Sequence, residues 1–331
     1  MGNKLARRLG AAAMTAAAVA AFAPTAAAAE PTWTAVPLEV PADVFSVRVN
    51  GTDGVDQIVG SYDSFDSGGQ YRPGIVWRGT ALTVLGEAFD DLTDLTAINT
   101  SGVAVGSHAA YDEQPQAVKW TGDHYEDLPA PAGSASVATS VNDNGDIVGT
   151  ADYQVILWPA SAPGTYRLLP MPYPTSANGV SIGDDGTVVA SVIEPVGSGP
   201  SRAFRWDSTG QPRELERVDR DHGHSVLTIE NGMIGGSANL LGAAIWNTKG
   251  RVQRFVPDIQ LYGMNANGDL LARGNTGGDA WFVDENGVRS TLPATFMPSF
   301  HPTTLFTNGT VAGYSHDEAT FTDTAVIWQR V

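Results

Sequence analysis

The chain contains no cysteine, and only 19 Lys and Arg stand against 36 Asp and Glu. The first absence excludes a disulfide framework, a thiolate metal site and a cysteine nucleophile. The second argues against a nucleic-acid partner, because a polyanion needs a basic footprint. Charged residues are 17% of the 331, below the usual quarter, whereas glycine is abundant at 37. That balance points to a turn-rich β protein. An apolar content of 42% is enough for a packed core.

Long apolar runs are lacking beyond the N-terminus, so no membrane span is expected. The N-terminus itself has three parts. Lys4, Arg7 and Arg8 precede an Ala-rich stretch at 10–23, and "PTAAAAE" then offers a small-residue cleavage site after Ala29. This is the layout of a secretory signal peptide. The apolar stretch is too short, and Ala too weakly hydrophobic, for an anchor. Arg7-Arg8 sits in a context that fits a twin-arginine signal poorly. The expectation is a signal peptide at 1–29 and a secreted, extracellular, monomeric chain from 30 to 331, folded as one domain. Removing 1–29 leaves 16 basic and 36 acidic residues, net −20. Such a charge keeps a protein soluble and repels anionic surfaces.

Tryptophan reveals a repeat. Trp77, Trp120, Trp158, Trp206, Trp246 and Trp328 each end a short apolar-rich run ("GIVW", "AVKW", "VILW", "AFRW", "AAIW", "AVIW"), and "AWFV" at 280–283 puts Val283 in the same column. The spacings are 43, 38, 48, 40, 37 and 45 residues, about 42 on average. A second motif precedes each run: "INTSGVAVG" at 98–106, "VNDNGDIVG" at 141–149 and "MNANGDLLA" at 264–272 are examples. Asn, Asp and Gly make tight hairpin turns because they tolerate positive φ. Each unit therefore reads as four short strands, the last often ending in an apolar-Pro pair such as Leu128-Pro129 or Leu169-Pro170. Seven units of this size predict an all-β, seven-bladed β-propeller with four antiparallel strands per blade. The seventh unit ends at Val331 after its Trp strand. "TWTAVPLEVP" at 32–41 has the character of a fourth strand, so the N-terminal strand is predicted to complete the last blade and close the ring.

Strand alternation places each Trp beside Ile75, Val118, Ile156, Phe204, Ala244 or Val326, two residues earlier, on an apolar face between blades. The Gly/Ala column next to the turns reads as a steric requirement for close sheet packing. With these motifs the chain resembles the extracellular HAF-repeat family, whose units read roughly "IN..G.VVG" followed by "A[FV].W..G". Residues 98–106 with 117–120, and 141–149 with 155–158, match best. Repeats 5 and 6 depart, lacking the Ile-Asn pair and the Trp respectively. The resemblance implies secreted, propeller-like repeats and carries no functional residue with it.

Chemistry is sparse. "GVSIG" at 179–183 formally matches a nucleophile elbow, but Ser181 falls in a first strand with no helix to follow. "DRDHGH" offers Asp219, Asp221, His222 and His224 as Zn²⁺ ligands from a blade-to-blade loop. "NDNGD" at 142–146 loosely resembles the start of a Ca²⁺ loop. No cofactor is predicted, with Ca²⁺ and Zn²⁺ the ions to consider. His108, His124, His301 and His316 are dispersed. The first strands supply only Glu230 and Arg48 as charged groups, which disfavours an axial active site.

Individuality lies in the loops between second and third strands. Together they collect Tyr62, Asp63, Phe65, Asp66, Tyr71, Tyr111, Asp112, Glu113, His316, Asp317, Glu318 and Phe321 on one face. Variable loops on a rigid scaffold are where binding usually sits. The sequence thus predicts a non-enzymatic binding module for an extracellular glycan or protein. A hydrolase or lyase at the propeller axis, and a surface-assembly protein, stand as alternatives.

Overall fold

Every repeat turns on a glycine that no other residue replaces cheaply. Gly54, Gly102, Gly145, Gly186, Gly232, Gly268 and Gly309 sit between first and second strands with φ between 75° and 85°, the left-handed region that a Cβ disfavours. The computed structural model describes residues 32–41, 44, 46–66, 69–85, 92–110, 113–193, 200–275, 279–293, 299–317, 319 and 322–331.

Seven antiparallel sheets result, each four strands deep. Blade one runs from Ser46 to Leu85, two from Leu92 to Asp127, three from Ser136 to Leu168, four from Ala177 to Glu214, five from His224 to Pro257 and six from Ile259 to Thr291. A short strand, Gly69–Tyr71, extends the second strand of blade one. Blade seven takes Ser299–Leu305, Val311–Asp317 and Thr322–Arg330 from the C-terminus and Trp33–Pro37 from the N-terminus. Trp33 pairs with Arg330 and Pro37 with Val326. The predicted fold and its closure are therefore correct. All seven blades lie within the unit Pro31–Val331; residues 1–29 lie outside the described residues.

The core is a set of wedges between sheets. Seven clusters of buried residues each draw on two neighbouring blades. The six column tryptophans are at most 4% exposed, so none of these rings is a sugar platform. Each indole removes roughly 150–250 Å² from water. Five of their N–H groups bond the backbone carbonyl at the end of a neighbouring fourth strand, whereas that of Trp120 is buried with no such partner among the described residues. Trp158 donates to the carbonyl of Pro129 (2.6 Å), Trp206 to Pro170 (2.8 Å), Trp246 to Glu216 (2.7 Å) and Trp328 to Pro293 (3.3 Å), each in the preceding blade. Trp77 does the same across the ring closure, to Glu39 (2.6 Å). Blade six has Val283 in that column, so no indole stands there to donate. There Arg289 reaches the carbonyl of Pro257 (3.2 Å) while stacking over Trp281 at 4.9 Å.

A β-bulge recurs in all seven first strands. Beside it a first-strand carbonyl lies against the second strand, which explains the glycines of the Gly/Ala column. A Cβ on Gly149 would lie 1.9 Å from the carbonyl oxygen of Val137, and one on Gly106 2.0 Å from that of Asp94. The close approach is thus within a blade, where the sequence suggested packing between sheets. Gly149→Ala must displace backbone rather than a side chain. Overpacking of this kind costs about 1–3 kcal/mol, so the variant should melt roughly 3–10 °C lower; an unchanged melting curve would refute the steric account.

Candidate functional site

The strands leave two distinct ends to the axis. Turns between first and second strands emerge at one end, the turn face. Second-to-third loops and blade-to-blade connections emerge at the other, the loop face.

On the loop face, charged groups from three blades meet. Arg48, Asp63, Arg72 and Asp94 form a closed ring of ion pairs: Arg48–Asp63 3.1 Å, Asp63–Arg72 2.6 Å, Arg72–Asp94 2.9 Å and Asp94–Arg48 3.4 Å. Arg48 and Asp94 come from the first strands of blades one and two, so Asp94 is a first-strand charge beyond the Glu230 and Arg48 expected from the sequence, because this strand begins earlier than its "TAIN" motif; Arg72 comes from the loop of blade one and bridges to Leu92. Burial works against the charge of Arg72, but the bonds to Asp63 and Asp94 outweigh it and raise its pKa. Ser61 adds a hydroxyl to Asp94 (3.0 Å). The ring bolts blade one to blade two.

Blade seven continues this polar surface. Nδ1 of His316 meets Asp323 at 2.7 Å, and Ser46 of blade one donates to the other oxygen of Asp323 at 2.8 Å. His301 pairs with Tyr314 in register, and their rings stack at 4.9 Å with planes 24° apart. Burial, with Arg273 and His316 nearby, lowers the pKa of His301. Burial and Asp323 raise that of Tyr314. The result is a histidine–carboxylate pair beside a second imidazole and a phenol.

The structure sorts the sequence candidates. His316 and Asp317 are partly exposed on this face, as is Tyr71, and Glu113 is exposed. Tyr62 is only 5% exposed and belongs to the cluster of Val47, Trp77 and Phe306. Asp63 is 6% exposed and engaged by two arginines. These two act from beneath the surface, because the second strand continues through them where a loop was expected and both of its faces are covered there, so successive side chains are buried on opposite sides. The side chains of Phe65 and Asp66, and all of Tyr111, Asp112, Glu318 and Phe321, lie outside the described residues. Sequence reasoning missed His301, Tyr314 and Asp323. The alternation in "YSH" at 314–316 was the available signal, since it puts Tyr314 and His316 on one strand face.

The weaker motifs do not assemble. His222 bonds Asp219 (2.9 Å), which lowers the pKa of that carboxyl. His224 is buried the other way, accepting the N–H of Val218 at Nε2 (3.0 Å) with its ring edge-on to Trp246. Asp221 is exposed. Among the described residues no group of three or more His, Asp and Glu is placed to hold a metal ion. Ser181 faces the hydroxyl of Ser140 at 3.4 Å in a strand. The "NDNGD" oxygens are used by backbone N–H groups of turns: Asn142 accepts from Asp146 N–H in its own turn (2.8 Å), and Asp146 from Ala160 N–H in the turn after the third strand (2.9 Å).

At the turn face the axis widens into a cavity of about 310 Å³ lined by first strands and turns. Asparagines at equivalent positions stitch the blades there. Asn99 donates to the carbonyl of Asn142 (2.9 Å), Asn142 to Gly183 (3.1 Å) and Asn265 to Phe306 (2.9 Å). Glu230 occupies this column in blade five. Burial, with Asp184 and Asp143 nearby, pushes its carboxyl up to about 7 against the help of a hydrogen bond from Thr228.

No protein-family model matches the chain, and no curated protein matches it. Solved propellers do. A catalytically inactive virginiamycin B lyase from Staphylococcus aureus, crystallised with quinupristin, is 13% identical over 91% of this chain and 100% of its own, with a TM-score of 0.61. The Cps50 (Swd1) β-propeller domain of Myceliophteria thermophila is 12% identical over 91% and 100%, at 0.57. A chain of the mitotic checkpoint complex is 12% identical over 100% and 99%, also at 0.57. These likenesses establish the β-propeller fold. Their functions are varied, from lyase to member of a protein assembly, so the fold alone selects none of them.

Proposed function

We propose that the chain is a secreted, monomeric, non-enzymatic binding module that holds an extracellular glycan or protein against its loop face. One observation carries this reading: side chains of blades seven, one and two converge there, partly exposed, on strands locked by partly buried ion pairs. Fixed polar groups on a rigid sheet lose little freedom when they meet a ligand. The signal-like N-terminus and the HAF-type repeats support export. Among the described residues no helix is long and apolar enough to cross a membrane.

The test is capture from arrays of extracellular glycans and secreted proteins. His316→Ala and Glu113→Ala should each weaken the best hit several-fold without lowering the melting temperature. Binding that survives both and is lost on changing turn-face residues would overturn the assignment.

A second reading rests on the His316–Asp323 pair, which has the arrangement of an oriented general base. It makes the chain a hydrolase or lyase. Turnover of a polymeric substrate by the wild type, abolished in His316→Asn, would favour it over the binding module.

A further inference from the structure

A second depression opens on the loop face, between blades four, five and six. It has a volume of about 690 Å³, within the usual range for small-ligand sites. Its wall is unusual for so acidic a chain: about one residue in nine is Asp or Glu, yet among the described residues no carboxylate lines it and neither does Lys or Arg. The groups presented are the amides of Asn239, Gln260 and Asn275 and the hydroxyls of Ser201, Ser225 and Ser237. Among the described residues of the wall, the one titratable side chain is His224. Its Nε2 accepts a backbone N–H and burial lowers its pKa, so it stays neutral.

The rim carries a leucine that folding does not need. Leu240 is 76% exposed and holds φ at 62°, a strained conformation for a branched side chain. The conformation is nevertheless fixed. Asn275 donates to the carbonyl of Leu240 (3.0 Å), and the N–H of Leu241 bonds back to Ala238 (2.9 Å). Asn239 is anchored through its N–H to Gly223 (2.8 Å), leaving its exposed amide facing solvent. An apolar knob, rigidly displayed beside paired donors and acceptors, is of no use to the core.

We infer that this groove seats a neutral glycan, with the amides and hydroxyls bonding sugar hydroxyls and Leu240 covering a C–H face of the ring. Each amide offers both a donor and an acceptor, matching adjacent hydroxyls that do the same. A charged ligand would find no counter-charge among the described residues of the wall and would lose its hydration. This inference rests on the loop face being a binding surface, and it names the ligand class and the blades.

The experiment uses purified protein on an array of neutral hexasaccharides (β-glucan, mannan, galactan and chitin) beside uronic-acid polymers and secreted proteins, with calorimetry of the best hit. A neutral hexasaccharide should bind, and Asn239→Ala with Gln260→Ala should weaken it at least tenfold. Leu240→Gly is the sharper variant. Glycine adopts φ of 62° without strain, so the melting temperature should hold or rise while affinity falls several-fold. A structural role for Leu240 would move the two together, downwards. If neutral sugars bind but respond only to His316→Ala, or if only acidic polymers or proteins bind, the groove assignment is overturned while the loop-face module stands. If nothing binds, both are overturned.

Discussion

Removing residues 32–41 should lower the melting temperature by roughly 10–20 °C and make the protein associate with itself. The segment does two jobs at the closure. Its strand pairs with Thr322–Arg330 from Trp33 through Pro37, and Leu38 bonds Ala325 (2.8 Å). It also supplies the carbonyl of Glu39 that accepts the indole N–H of Trp77. Leu38 is buried among Val47, Trp77, Phe306 and Ile327. Deletion exposes that cluster, leaves a buried donor unpaired and bares the edge of blade seven. Each lost large apolar residue is worth about 2 kcal/mol and the orphaned donor about 1–3 kcal/mol. A domain of this size loses about 2–4 °C per kcal/mol. An unpaired edge strand is a template for another chain, so light scattering should rise with concentration. A synthetic peptide of residues 30–41 added to the truncated protein should restore part of the loss. A truncated protein that melts like the full chain and stays monodisperse would show that the ring does not depend on this strand.

Glu230→Gln should remove a large part of the pH dependence of stability between about pH 4.5 and 7. In the folded chain this carboxyl titrates at about 7; unfolded, it titrates near 4.3. Between those values the native state binds a proton that the unfolded state does not, so stability falls as pH rises through the window. The shift corresponds to a penalty on the order of 3 kcal/mol above pH 7. Access to water in the cavity reduces this to about 2 kcal/mol. Glutamine keeps the shape, carries no charge and donates an amide, as Asn99, Asn142 and Asn265 already do toward their neighbouring blades. Its melting temperature should match the wild type at pH 4.5 and exceed it by about 4–8 °C at pH 8. Parallel profiles for the two proteins would mean that Glu230 is not strained by its surroundings. The other carboxylates titrate in both proteins, so the difference between the profiles isolates this one.

Both predictions trace to departures from the repeat, and such departures are only half legible in sequence. That Glu230 stands where Asn99 and Asn142 stand can be read from the alignment of "TIE" with "AIN" and "SVN". That the column faces a narrow cavity, with Asp143 and Asp184 beside it, depends on seven first strands converging. Similarly, Val283 in the Trp column is visible at once, whereas the substitute donor Arg289 is not. Its position six residues downstream gives no hint that its guanidinium crosses to Pro257.

The amino-acid sequence by itself determined the blade count, the strand order and the closure. Those properties are periodic and local: a turn glycine, an alternating apolar face and a buried indole recur at a spacing that only stacked four-stranded sheets satisfy. The tertiary structure alone decided which polar residues meet. Arg48, Asp63, Arg72 and Asp94 span 46 residues, and His301, His316, Asp323 and Ser46 join opposite ends of the chain. Ion pairing and hydrogen bonding depend on distances of about 3 Å, and ring closure sets those distances between blades that share no local pattern. Tyr62 and Asp63 make the same point in reverse. They lie in a variable segment, yet the second strand of blade one runs on through them, and both of its faces are covered there: Tyr62 by the cluster of Val47, Trp77 and Phe306, Asp63 by Arg48 and Arg72.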